Sequence, residues 1–197
     1  MSSGVFLIQT DGRLVEMSEE SYGSEADFQE LLARYPNLLA GNQINDENPR
    51  RWLLISREAA IPSEENGCDR WSVDHLFLDQ DAIPTLVEVK RSSDTRIRRE
   101  VVGQMMEYAA NAVVYWPMEE IQGKFDAVCQ EKGLNSDDEL NAFLGPSGDV
   151  DAFWQSAKAN LQAGRIRMLL VADEIPTELK RIVEFLNEQM APAEYWL

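Results

Sequence analysis

The chain has 197 residues, 44% of them hydrophobic and 27% charged, the balance of a globular protein long enough for one full core. Its formal net charge of −17 argues against a broad nucleic-acid-coating role, because such binders are basic. Two cysteines and one histidine exclude a Cys/His zinc cluster and argue against a disulfide framework.

In chain order, the first signal is "GVFLIQTDGRLVEM", two apolar runs around Asp11-Gly12, which predicts an N-terminal β-hairpin within residues 1–20. This start lacks the basic residues and cleavage site of a signal peptide, and no apolar run nears the roughly 20 residues of a membrane span, so a cytoplasmic protein is expected. Ser24 can cap a helix whose apolar stripe is Phe28, Leu31, Leu32 and Tyr35, with Pro36 as its stop. Residues 37–50 read as loop. "RWLLIS", "WSVDHLFLD" and "TLVEVKR" read as strands, the last two joined by the turn chemistry of "DQDAIP". From Asp94 to Ala112 the period is helical, with Ile97, Val101, Met105 and Tyr108 on one stripe. Residues 117–164 predict short helices, one opened by a capping box at Ser136 and one ended by Gly164. "RIRMLLVAD" reads as a fully apolar strand, Pro176 opens an amphipathic helix, and "AEYWL" starts a further strand. The order predicts an α/β fold, a mixed central sheet flanked by helices, as one unit over residues 21–197 with a helical insertion at about 117–164.

The chemistry concentrates in the second strand pair. A hairpin centred near Asp81 sets Asp74 opposite residues 88–90, and period-2 alternation puts Asp74 on a face with Leu76 and Leu78, and Glu88 and Lys90 on a face with Leu86. Opposed side chains lie about 4.5–5.5 Å apart at Cβ. Two carboxylates that close on an apolar face repel each other, and a divalent cation relieves this. Mg²⁺ is held at about 2.0–2.1 Å, often by only one or two protein carboxylates. Lys90, roughly 6.6 Å along the strand from Glu88, brings an ammonium beside that cation. His75 alternates to the opposite face and reads as a core or edge histidine.

Asp74, thirteen intervening residues and Glu88-Val89-Lys90 together resemble the signature of the PD-(D/E)XK nuclease superfamily, whose fold is that of restriction endonucleases. "SEADFQELLARYPNLL" is similar to the N-terminal helix of many members, and "QMMEY" matches the Gln-x-x-x-Tyr element of one branch. Val73 stands where the family has its proline. The resemblance implies an Mg²⁺- or Mn²⁺-dependent nuclease that hydrolyses phosphodiester bonds through a metal-activated water, with DNA the first expectation as substrate and RNA the alternative. It implies metal ligation by Asp74, Glu88, the Val89 carbonyl and Glu25, assistance by Lys90, and orientation by Gln104. Arg91, Arg96, Arg98 and Arg99, with Tyr108, are the expected nucleic-acid contacts.

Plainer readings stand beside these. Asp74, Glu88 and Lys90 can form a solvated salt bridge at a sheet edge, Glu25 can complement a helix dipole, and Gln104 and Tyr108 can simply pack their helix. Residues 50–99 hold nine of the 18 bases and nine of the 35 acids, so a polyanion should approach there. Residues 117–164 carry nine acids and three bases, a surface suited to a protein partner or a second copy of the chain. The alternative function is a catalytically silent nuclease-fold module that binds nucleic acid or a protein partner.

Overall fold

The structure is a computed structural model that describes residues 5–18, 22–62, 69–91 and 100–197. Strands β1 (Val5–Ile8) and β2 (Leu14–Met17) form the predicted hairpin, a separate two-stranded sheet. Its turn needs a left-handed residue and places Gly12 there, at φ 81°.

The main sheet has five strands in spatial order β3 (Trp52–Pro62), β4 (Asp69–Asp79), β5 (Pro84–Lys90), β6 (Arg167–Ala172) and β7 (Glu194–Trp196). The first three pair antiparallel through direct connections, whereas β6 and β7 add in parallel. Parallel neighbours require crossovers, and the helices supply them. Helices α3 (Glu100–Tyr115), α4 (Met118–Glu131), α5 (Ser136–Leu144) and α6 (Val150–Gln162) lie between β5 and β6, and α7 (Thr177–Gln189) lies between β6 and β7.

Alternation along the strands divides the core in two. Leu53, Ile55, Leu76, Leu78, Leu86, Met168 and Leu170 pack with residues of α3 to α7. Trp52, Leu54, Phe77, Val87, Val89 and Leu169 pack with Phe28 and Leu32 of α1 (Glu25–Arg34). Ser24 caps α1, its hydroxyl accepting from the Asp27 N–H at 3.1 Å, and Pro36 follows the helix end as predicted.

Four local readings change. Residues 37–50 are not wholly loop: a 3₁₀ turn spans Pro36–Leu38, and a single helical turn, α2, spans Gly41–Ile44. The "RWLLIS" strand runs on to Pro62, with a register shift between Leu54 and Ser56. The cap of α5 is Asn135, whose Oδ1 accepts from the Asp138 N–H at 3.0 Å, so Ser136 is the first helical residue instead of the cap. The strand read as fully apolar carries Arg167, only 1% exposed. Its Nη1 meets Asp79 Oδ2 at 2.9 Å and its Nε meets Glu194 Oε2 at 2.9 Å, which is how a buried guanidinium is tolerated.

Candidate active site

The β4–β5 turn fixes the site's register. Asp79 Oδ1 accepts from the N–H groups of Asp81 (3.0 Å) and Ile83 (2.9 Å), and Ala82 takes φ 57°. That tight turn pairs Leu78 with Pro84, Leu76 with Leu86 and His75 with Val87, a ladder that leads on to Asp74 and Glu88. Asp74 Oδ2 accepts from the Val89 N–H at 2.7 Å, which pins the first carboxylate beside the second strand.

Glu88 is the centre of the cluster and is 2% exposed. Its Oε1 accepts from Lys90 Nζ at 2.6 Å and from Gln104 Nε2 at 3.2 Å. Gln104 Nε2 also donates to the Tyr108 hydroxyl, one helical turn along α3. Glu88 Oε2 is buried without a hydrogen-bond partner. Buried carboxylate oxygens are costly to leave unmatched, so this atom calls for a donor or a positive charge.

The electrostatics follow from burial and crowding. Burial holds the Asp74 carboxyl above its usual range, against the pull of the Val89 N–H and Lys90. Glu88 is raised by burial and then by the charge of Asp74, with Lys90 pulling it down. Burial would lower Lys90, but its hydrogen bond to Glu88 and the charges of Glu88, Asp74 and Glu25 outweigh this, so the ammonium is held above its usual range. The cluster thus sets two carboxyls, both held above their usual range, against one ammonium.

Glu25 sits at the margin. Its Oε1 accepts from the Arg91 N–H at 2.9 Å, so α1 is tied to the end of β5 beside Lys90. Among the described residues, no group of three or more His, Cys, Asp or Glu side chains is disposed to hold a metal ion. Asp74 and Glu88 are the two carboxylates brought together on neighbouring strands, and an ion that keeps several waters can be held by as few as one or two protein carboxylates.

The other expected residues are distributed as follows. Arg91 is half-buried, and its guanidinium donates to the Gly23 carbonyl at 3.4 Å. Tyr108, expected among nucleic-acid contacts, is 4% exposed, with its hydroxyl engaged by Gln104. Arg96, Arg98 and Arg99 lie outside the described residues. His75 is fully buried on the α1 face, with Nε2 donating to the Gln29 carbonyl at 2.8 Å. Sequence reasoning did not find Gln29, whose side-chain amide pulls the Asp74 carboxyl down against the effect of burial. Its position four residues after Glu25 on α1, the same helical side, was the available signal.

No family model matches the chain, and no curated protein matches it. Among solved structures it is similar to a repair endonuclease from Pyrococcus abyssi, with a TM-score of 0.40 and 18% identity, over 92% of this chain and 50% of that one. The chain thus spans half the length of that endonuclease. Among the described residues no helix is long and apolar enough to cross a membrane.

Proposed function

We propose that the chain is a nuclease of the PD-(D/E)XK type, in the branch with the Gln-x-x-x-Tyr element, and that it cleaves DNA rather than RNA with Mg²⁺ or Mn²⁺. The observation that carries this reading is the buried, unpartnered Oε2 of Glu88 beside Asp74, in a cluster with more acid than base. A bound divalent cation would acidify a water and offset charge on the scissile phosphate. Asp74 and Glu88 would hold that ion, with the Val89 carbonyl as a candidate third ligand. Lys90, tethered to Glu88 at 2.6 Å, supplies positive charge where a phosphate would gain negative charge. Gln104 bridges Glu88 and Tyr108 and fixes the carboxylate's orientation. Glu25 supports the site by holding the Arg91 backbone. Arg91, with Arg96, Arg98 and Arg99 a few residues further along the sequence, would supply positive charge for the phosphate backbone, a positioning role without sequence reading.

The test is incubation of purified protein with supercoiled plasmid and with linear single- and double-stranded DNA and RNA, in Mg²⁺ or Mn²⁺, alongside Lys90→Ala. Cleavage of DNA that is lost in Lys90→Ala is expected. No cleavage of any substrate by the wild type would count decisively against a nuclease.

The net charge of −17 and the nine acids of residues 117–164 favour a second reading, a silent module of the same fold that binds nucleic acid or a protein partner. Calorimetric titration with Mn²⁺ separates the two. Binding that disappears in Asp74→Asn belongs to the nuclease reading, and the absence of heat belongs to the module.

A further inference from the structure

Helices α1 and α4 leave a groove of about 670 Å³ beside β3, the edge strand of the main sheet. Its walls carry Ala33 and Ala127, side chains too short to close the gap. Six charged side chains line it: Arg34, Arg57, Lys124 and Lys132 against Glu30 and Glu131. The chain as a whole has 18 bases and 35 acids, so the groove inverts the ratio. Lys124 pairs with Glu120 at 3.1 Å, one turn back along α4. Arg34, Arg57 and Lys132 have no acid within 4 Å among the described residues, although acids outnumber bases throughout the chain. Helix ends explain part of this. Arg34 stands in the last turn of α1 and Lys132 at the C-cap of α4, where a base offsets the helix dipole. Arg57 on a strand and Lys124 in mid-helix have no such reason to be there.

The groove is long rather than round. A second hollow of about 310 Å³ shares Arg34 and Lys132 with it and runs on to Phe143, adding Glu139 to the lining. Bases strung along a trough suit a chain of phosphates better than a single free anion. The trough also begins near the candidate active site. Arg57 pairs in register with His75, the neighbour of Asp74. Helix α1 reaches from Glu25, which holds the Arg91 N–H, to Arg34 in the groove, a length of roughly 13.5 Å. We infer that the groove binds the phosphate backbone of a single nucleic-acid strand and anchors it several nucleotides away from Glu88. This rests on the nucleic-acid reading above and adds a second anchor on the α1 side of the sheet. At about 3.4 Å per nucleotide, the length of α1 corresponds to roughly four nucleotides. Such backbone contacts position a strand without reading its sequence.

Fluorescence anisotropy of a labelled single-stranded DNA of about 20 nucleotides, in EDTA and at about 50–200 mM salt, tests this apart from cleavage. Arg57→Gln/Lys132→Gln should weaken binding at least tenfold. It should also lower the slope of log K against log salt by about 1.4, at about 0.7 per lost phosphate contact. Ala127→Glu, which sets an acid on the α4 wall, should likewise weaken binding at least tenfold. All three positions are exposed, so both variants should keep the wild-type thermal midpoint. Lys180→Gln/Arg181→Gln, at two exposed bases on α7, should bind as the wild type does. A wild type that does not bind the strand, groove variants that bind it as tightly as the wild type, or an α7 variant that loses as much would overturn the inference. So would tripolyphosphate that binds more tightly than the strand, which would make this a site for a free anion. Binding through the groove without cleavage in Mg²⁺ or Mn²⁺ would leave this inference standing and end the nuclease reading. Cleavage by a protein whose strand binding ignores the groove variants would end this inference alone.

Discussion

Replacing Lys90 by Met removes the one cation that faces Glu88 among the described residues and keeps most of the side chain's apolar length. The wild-type contact is 2.6 Å, between side chains 12% and 3% exposed. After the change, Glu88 retains only neutral donors, Gln104 and the Asp74 backbone N–H, and still faces the charge of Asp74. Breaking a buried ion pair from one side costs about 3–5 kcal/mol, and the partial exposure of Lys90 sets the expectation at the low end, about 3 kcal/mol. For a chain of this size that lowers Tm by roughly 6–12 °C. The sign with pH is fixed. Glu88 already lies above its usual range through burial and the Asp74 charge, and loss of the ammonium raises it further. A carboxyl raised in the folded state takes up protons on folding, so stability falls as pH rises through that window. The deficit of Lys90→Met should therefore be largest at pH 8 and shrink toward pH 5. Calorimetry or urea titration in EDTA measures it free of metal effects. The double variant Lys90→Met/Glu88→Gln should recover all but about 1 kcal/mol, since the uncompensated charge is gone. A Lys90→Met protein within about 1 kcal/mol of wild type at pH 8, or a double variant no better than the single, would show that Glu88 is not held as a buried anion.

Three further outcomes are expected. His75 is fully buried, and burial lowers it to about 4, so the folded state binds fewer protons than the unfolded between pH 6.5 and 4. Stability should fall on acidification through that window by up to roughly 3 kcal/mol, and His75→Gln should flatten this limb in urea titrations across pH. Asp79→Ala should cost about 3–5 kcal/mol, because it strands buried Arg167 and frees the N–H groups of the turn, as calorimetry would show. A Cβ at Gly41 would stand 2.0 Å from the Arg50 carbonyl oxygen, whereas one at Gly123, inside α4, meets nothing within 4 Å. Gly41→Ala should therefore destabilise by more than about 2 kcal/mol, and Gly123→Ala should stabilise by about 0.5–1 kcal/mol.

What could be read in advance was whatever rests on local periodicity. The parity of a short hairpin is fixed by its turn, so Asp74 with Leu76 and Leu78, and Glu88 with Leu86 and Lys90, follow from alternation once the turn is located at Asp79 to Ile83. The cap at Ser24 and the stop near Pro36 are equally local. What could not be read depends on partners far along the chain. Arg167 looks misplaced in a strand because the two acids that neutralise it are 88 and 27 residues away. The cap of α5 was misplaced by one residue because Asn135 and Ser136 have the same capping chemistry, and only the backbone of Asn135 is extended. Glu25 shows in the sequence as a first-turn acid. Its hydrogen bond to the Arg91 N–H needs the docking of α1 against the end of β5, which no spacing encodes.

Two buried charge clusters lie in this sheet, and their difference bears on function. Around Arg167 the groups are matched: Nη1 meets Asp79 and Thr85, Nε meets Glu194, and Arg50 adds contacts to Asp79 and Asp81. Such a cluster ties β5, β6 and β7 to the β4 turn. Around Glu88 the matching fails. Two raised carboxyls share one ammonium, and one of their oxygens has no donor. The same strand, β5, carries both arrangements five residues or fewer apart, so general tolerance of buried charge does not account for the second. Arg167 meets a carboxylate through each of two nitrogens, whereas Glu88 shares one ammonium with Asp74 and keeps a buried oxygen without a donor, and that difference is what the proposed metal site rests on.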